Sequence, residues 1–291
     1  MLPADIEDYI RPNSLPEALE HASKYQEGEA IFLAGGQSAM QAIKTRILRP
    51  RCIIDLQNIS DLKKVAIGKN STEFGSMTRY VDIAQKIALP PALAALKDAC
   101  EHVGDRQVRN RGTLGGSICW NFLASCVPTV FLTLNGMVTL KSTKAERNVA
   151  ATNFFIGPLE TVREDDELLT KITIPNPKRT ASAYQKWGLV KDALPVIGVA
   201  VSITVDKKGN CEKLTMGVAG LPAGCQLVSG LDQLQDWTGE IDPLDQALNQ
   251  VASDVEVHSD LSASETYRRH LITKIGRTVC LSARNRALEL L

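Results

Sequence analysis

Two glycine-rich turns about eighty residues apart constrain this chain more than any other feature: Leu33-Ala34-Gly35-Gly36-Gln37-Ser38 and Gly112-Thr113-Leu114-Gly115-Gly116-Ser117. Adjacent glycines permit positive φ and let the backbone approach a ligand closely. The first turn follows the apolar run Ala30-Ile31-Phe32-Leu33, and Ser38 stands where a helix would begin, so free N–H groups there favour a phosphate. A plain strand-to-helix connection uses the same residues, so this turn by itself leaves both readings open.

The second turn carries more information. Gln107-Val108-Arg109-Asn110-Arg111 precedes it and Ser117-Ile118 continues it, with no ordinary helix or hairpin signal. Two arginines beside a glycine pair with flanking hydroxyls suit a diphosphate, or a flavin ring whose polar edge needs backbone donors. The alternative is a solvated basic loop.

Charge excludes several other classes. The chain has 33 basic and 33 acidic residues, so no net field steers it to nucleic acid or to an anionic membrane. Apolar runs such as Thr129 to Val138 are too short to span a bilayer, and residues 1–8 lack the basic and apolar regions of a signal peptide, so the expected location is cytoplasmic. Seven cysteines without Cys-x-x-Cys spacing and four scattered histidines predict reduced thiols and no bound metal. Cys119 and Cys126 flank an apolar loop; small buried hydrophobes are the preferred reading over a redox pair.

Periodicity places the turns. Leu15 to Tyr25 reads as a helix capped by Ser14, Ala30 to Ala34 as a strand, Ala39 to Leu48 as a helix and Cys52 to Leu56 as a strand, giving a βαβ-like lobe over residues 1–57. A second lobe, 58–176, holds strands at Lys64 to Ile67 and Thr72 to Ser76 and helices around Tyr80 to Ile87 and Pro91 to Val103. It ends in the hinge-like Pro175-Asn176-Pro177. Residues 177–291 form a third unit: a hairpin of Ala193 to Val205 and Cys211 to Ala219 around the turn Asp206-Lys207-Lys208-Gly209-Asn210, then helices at Leu244 to Val255 and Thr266 to Leu290, the last capped by Ser262 or Ser264.

With these residues in place, the chain resembles the FAD-binding medium subunit of molybdenum hydroxylases, the xanthine dehydrogenase and carbon monoxide dehydrogenase type. The likeness is carried by Leu33 to Ser38, by Gly104-Asp105-Arg106-Gln107-Val108-Arg109-Asn110-Arg111-Gly112-Thr113-Leu114-Gly115-Gly116, and by Phe154-Phe155-Ile156-Gly157-Pro158. Ile172 to Pro175, Tyr184 to Lys186 and Tyr267 to Leu271 follow in the family's order. The resemblance implies an α+β fold: a two-lobed FAD-binding domain of the PCMH/vanillyl-alcohol-oxidase-like type plus a small α+β C-terminal domain. It implies that Ala34, Gly35, Gly36, Gln37 and Ser38 bind the diphosphate and that Thr113, Gly115, Gly116 and Ser117 line the flavin and its ribityl chain. Leu169 would pack on a cofactor ring and Lys186 would contact its polar edge, while Arg109 and Asn110 hold the loop in shape.

As function, the resemblance implies electron relay. A large partner with a molybdenum cofactor hydroxylates the substrate, a small partner with two [2Fe-2S] clusters passes electrons singly, and FAD on this chain delivers them to an acceptor, in a dimer of heterotrimers. No acid, base or nucleophile on this chain is implied; Glu101, His102 and Asp105 read as solvated. The sequence departs from the family's pattern at Ser117, where asparagine is usual, and over Ile118 to Pro128, where Phe122 and Cys126 replace two acids. Loss of a charged acceptor would weaken local binding by about 1.5–3 kcal/mol. A FAD-free structural subunit and a self-contained flavin oxidoreductase are the alternatives.

Overall fold

The computed structural model describes residues 5–291. Its first lobe contains β1 (Asp8–Ile10), α1 (Leu15–Ala22), β2 (Ala30–Leu33), α2 (Ala39–Lys44) and β3 (Cys52–Asp55). All three strands are parallel, in the order β1-β3-β2. Central β3 is buried along its whole length: Cys52 to Ile54 form an apolar run, and the buried Asp55 that ends it is paired with Arg11 at 2.9 Å. Cys52 and Ile54 face α1, and Ile53 faces Ile43 of α2 on the opposite side. The Ser14 hydroxyl accepts from Glu17 N at 3.3 Å, as its position predicts. Both helices end earlier than the periodicity suggests: α1 stops at Ala22 and α2 at Lys44.

The second lobe is built on an antiparallel sheet of β4 (Val65–Ile67), β5 (Ser71–Gly75), β6 (Met137–Lys141), β7 (Glu146–Ala150) and β10 (Leu168–Pro175), ordered β4-β5-β10-β6-β7. Between its strands lie α3 (Tyr80–Gln85), α4 (Ala94–His102), α5 (Arg106–Arg111), α6 (Leu114–Trp120), α7 (Cys126–Thr133), the short α8 (Ala151–Phe154) and the ribbon β8 (Phe155–Gly157) with β9 (Glu160–Thr161). Phe74, Val138, Leu140 and Ile172 pack under α4 and α7. The basic stretch before the second glycine turn is therefore helix α5, capped by Asp105, and not an irregular loop. Its helical signal is short and interrupted at Gly112, which breaks α5 from α6.

A four-stranded antiparallel sheet follows: β11 (Thr180–Trp187), β12 (Ile197–Val205), β13 (Cys211–Leu221) and β14 (Gly224–Leu227). The β12–β13 hairpin forms as expected, although β12 starts at Ile197. One face carries α9 (Ile241–Asp254) and α10 (Glu265–Leu288), the latter capped by Ser264. Tyr184 and Ala200 on the other face join the core of the second lobe. There, Arg286 holds the Asp98 carboxylate at 2.7 and 3.1 Å, and the Ser182 hydroxyl accepts from Ala95 N at 2.9 Å. The Pro175–Pro177 segment is pinned rather than free: Asn176 N donates to Asn70 O at 2.8 Å, and its amide side chain donates to Gly68 O and Thr72.

Strand β7 and the residue that leads into β10 are clamped by a bidentate pair, in which Arg147 donates to both Glu167 oxygens at 2.7 and 2.8 Å. Burial alone would raise the Glu167 pKa, but the Arg147 bonds and the Glu164 N–H outweigh it and hold the carboxyl below its usual 4.5. A depressed folded-state pKa stabilises the fold above the unfolded value, and that contribution disappears as pH falls through the folded one. Thermal melts of the wild type should therefore show an acid limb beginning below about pH 4.5, and Glu167→Gln should melt lower at neutral pH with a shallower acid limb. An unchanged limb in the variant would remove Glu167 from this role.

Candidate functional site

The two glycine turns meet. Gly35 packs against the backbone of Arg111 and Gly112, where an added Cβ would overlap the Arg111 carbonyl oxygen and lie 2.8 Å from its carbon. Across the same seam an added Cβ on Gly116 would sit 3.5 Å from the Ala34 Cβ. Gly36 has φ +74°, so the turn that brings Gly35 to the seam needs glycine there as well. Along the seam opens a cavity of about 250 Å³ lined by Gly35, Gly36, Gln37, Gln41, Lys44 and Arg111, among others that include Ala34.

The donors of this cavity come mostly from the first turn. Among the described residues, the N–H groups of Gly35, Gly36, Gln37 and Ser38 have no protein acceptor, and the Ser38 hydroxyl makes no cap bond. The second turn behaves differently from its sequence-based expectation as a source of free backbone donors. Gly115 N donates to Ser76 O at 2.9 Å, Gly116 N to the Thr113 hydroxyl at 3.1 Å, and Ser117 N to Thr113 O at 3.1 Å. Thr113 is thus a buried N-cap of α6, and Gly115 is present because a side chain would strike Ser76, 2.6 Å from its Cβ. Ser117 is half-buried and faces Tyr80, whose phenol burial holds well above its ordinary pKa while Ser117 draws it partly back.

The support of the second turn is not legible as part of a site. Ser76-Met77-Thr78, between β5 and α3, accepts from Gly115 and Leu114 through the carbonyls of Ser76 and Thr78. The buried Ser76 hydroxyl has no hydrogen-bond partner. Its signal in the sequence is a glycine followed by two hydroxyl residues ahead of an apolar helix, the same grammar as the other two turns.

Two expected contacts are not brought to the cavity. Leu169 is buried in the second lobe's core, paired with Leu140 on β6; strand alternation turns its neighbour Leu168 the other way, into a cluster with Met77 that Ala34 borders. Lys186, on β11, donates its ammonium to the Ala193 carbonyl. Arg109 does hold the loop in shape, donating to the carbonyls of Val103 and Gly104.

The acid-free segment is an ordered corner. Asn121, in the left-handed conformation at φ 43°, ends α6, and its buried side chain donates to Gly157 O at 2.6 Å and Glu160 O at 3.2 Å. Burial pushes the Cys119 thiol up to about 11 and the Cys225 thiol up to about 12; the Cys126 thiol is raised by burial and drawn back by Tyr184 and Lys186. These cysteines are packed thiols. Among the described residues, no group of three or more His, Cys, Asp or Glu side chains is placed to hold a metal, and no helix is long and apolar enough to cross a membrane.

The residues fit a diphosphate-bearing cofactor: a seam that closes only with glycine at 35, four unpaired amides, a free hydroxyl and two cations. Fold and site together define a two-lobed FAD-binding protein with a C-terminal α+β domain. The family model for the FAD-binding domain in molybdopterin dehydrogenase matches residues 4–177, and that for the CO dehydrogenase flavoprotein C-terminal domain matches 182–283. The chain belongs to this family, as an FAD-binding medium subunit of the molybdenum hydroxylases and a subunit of an oxidoreductase. In this family the molybdenum and iron–sulfur cofactors lie on other subunits.

Similar proteins include the glyceraldehyde dehydrogenase medium chain of Sulfolobus acidocaldarius, 31% identical over 91% of this chain and 93% of the relative. The caffeine dehydrogenase subunit beta of a Pseudomonas species is 38% identical over 62% of this chain and 60% of the relative. Among solved structures, the reconstituted CO dehydrogenase of Oligotropha carboxidovorans has a chain that superposes with a TM-score of 0.91 at 26% identity, covering 98% of this chain and 100% of that one.

Proposed function

We propose that this chain is the electron-transfer subunit of a molybdenum-containing dehydrogenase or hydroxylase. Electrons released at a large molybdenum-cofactor subunit reach it singly from the [2Fe-2S] clusters of a small subunit and leave for an acceptor, within a dimer of heterotrimers. Bound FAD supplies the capacity to collect single electrons and pass on a pair. This chain's own part is to bind and orient: the Gly35–Ser38 amides hold the diphosphate, and the Thr113–Ser117 turn, locked by its internal hydrogen bonds, gives the flavin side a rigid wall. Leu169 is assigned to packing on a cofactor ring and Lys186 to contact with its polar edge, both outside the cavity at the first turn. We set the domains at 1–57, 58–176 and 177–291 and locate the protein in the cytoplasm, where its seven thiols would stay reduced.

The observation that carries this reading is the seam at which Gly35 lies against Arg111 beside unpaired amides. The test is an absorption spectrum of the purified full chain, with mass analysis of what heat releases. A yellow protein that releases FAD, and co-purifies with iron–sulfur and molybdenum subunits from its native cells, is expected. A colourless protein that takes up no FAD on reconstitution would replace this reading with that of a structural subunit, for which the acid-free segment is the reason. The relatives are named for unlike substrates, which accords with a substrate site on the large subunit.

A further inference from the structure

The cavity at the seam is acid-free and holds two cations contributed by different lobes. Lys44 closes α2 in the first lobe and Arg111 closes α5 in the second. Basic side chains in a last helical turn are ordinary, since they suit the local carbonyls. Convergence on one cavity is not explained by that, because α2 is anchored in the first lobe through Ile43 while α5, which buries no side chain, lies in the second. Neither side chain forms an ion pair or hydrogen bond among the described residues. Many other arginines are paired with acids: Arg51 with Glu7 and Glu29, Arg147 with Glu167, and Arg277 with Asp245. Two uncompensated cations beside four unpaired amides leave a concave site of positive potential.

We propose that Lys44 and Arg111 form a clamp for a diphosphate, so that an anion of this class ties the first lobe to the second. The diphosphate belongs either to FAD or to a free molecule, and the assignment to FAD rests on the function proposed above. Both helices have only six residues, so their dipoles contribute little and the charge must come from the side chains. The amides fix the position of the phosphates, while the two cations, one from each side, oppose separation of the lobes. A flavin carrying a single phosphate would use only part of this arrangement and bind more weakly than FAD.

The test uses the full-length apoprotein. FAD is titrated by fluorescence and inorganic pyrophosphate by thermal melting, at low and high ionic strength, for the wild type, Lys44→Gln, Arg111→Gln, the double variant and Lys44→Arg. Both side chains are solvent-facing, and circular dichroism checks that each variant folds. Each single neutralisation should raise the FAD Kd about tenfold and the double about 100-fold. The double variant should also flatten the salt dependence and lose the stabilisation by pyrophosphate, and Lys44→Arg should restore most of the affinity. FAD affinity within about twofold of wild type in the double variant, with the same salt dependence, would overturn the clamp and leave the FAD reading standing. Wild type that ignores FAD but is stabilised by pyrophosphate, with that response lost in the double variant, would uphold the clamp for a free diphosphate and overturn the FAD reading. Wild type that responds to neither would overturn both.

Discussion

Gly35→Ala is expected to melt about 3–10 °C below the wild type and to lose most of its affinity for FAD. The added methyl group meets the Arg111 carbonyl and lies 2.9 Å from the Gly112 Cα, which are main-chain atoms and cannot rotate away. Overpacking of this kind costs about 1–3 kcal/mol, and relief requires the first turn to lift from the second. Lifting it opens the cradle, so the binding loss should exceed what the stability loss alone would cause. Gly28→Ala separates the two effects. That residue also lies in the first lobe and has φ +78°, but an added Cβ there meets nothing within 4 Å. It should lose about 1 kcal/mol to backbone strain and keep its FAD affinity. Calorimetry and FAD titration of both variants decide the matter; a Gly35→Ala protein that binds FAD within about threefold of wild type would show that the seam is not the cradle.

Legibility in the sequence follows the range of the physics involved. The first lobe is written locally: Ser14 caps its helix, the apolar run 52–54 reads as a buried strand, and the glycine pair between strand and helix marks the turn. The β12–β13 hairpin is equally plain because its two β-branched runs surround a polar turn. The first lobe's third strand, β1, is not legible, since three residues carry no periodicity and the strand exists only through its pairing with β3. Helix α5 escapes notice for a related reason: six residues rich in arginine have no apolar face, and the Asp105 cap that starts it is a single side chain.

The site divides along the same line. Glycines reveal where a backbone comes close to something, but not to what. Gly115 is fitted to Ser76, whose segment belongs to a different part of the chain, and the partner in that close approach is not readable from the glycine itself. The orientation of Leu169 depends on the register of β10, which shifts between Leu169 and Lys171 where it pairs with β6, a bulge the alternation pattern does not announce. Lys44 reads as an unremarkable helix-end charge and Arg111 as one of two arginines suited to a diphosphate, and only the fold places the two in one cavity.

The largest loss of stability is expected away from the cradle, at Arg268→Ala. This side chain of α10 is 6% exposed and donates from Nη1 to Val196 O at 2.7 Å and Gly220 O at 3.2 Å, and from Nη2 to Asp260 at 2.6 Å. Gly220 in turn donates to Leu123 O at 3.0 Å, so the arginine anchors the corner where the C-terminal sheet meets the acid-free segment. Truncation leaves a cavity, two buried carbonyls without donors and a carboxylate without its partner, a combination that costs about 3–5 kcal/mol. Arg268→Met separates shape from bonding. It fills much of the volume and removes the buried Nε, which has no partner in the wild type, so it should lose less than the alanine variant yet remain well below wild type. Urea unfolding of the three proteins, followed together with their FAD content, tests the order. Equal stabilities for methionine and wild type would show that Arg268 contributes packing alone, whereas a methionine variant with normal FAD content and reduced stability would place the anchor in the C-terminal domain and leave the cradle independent of it.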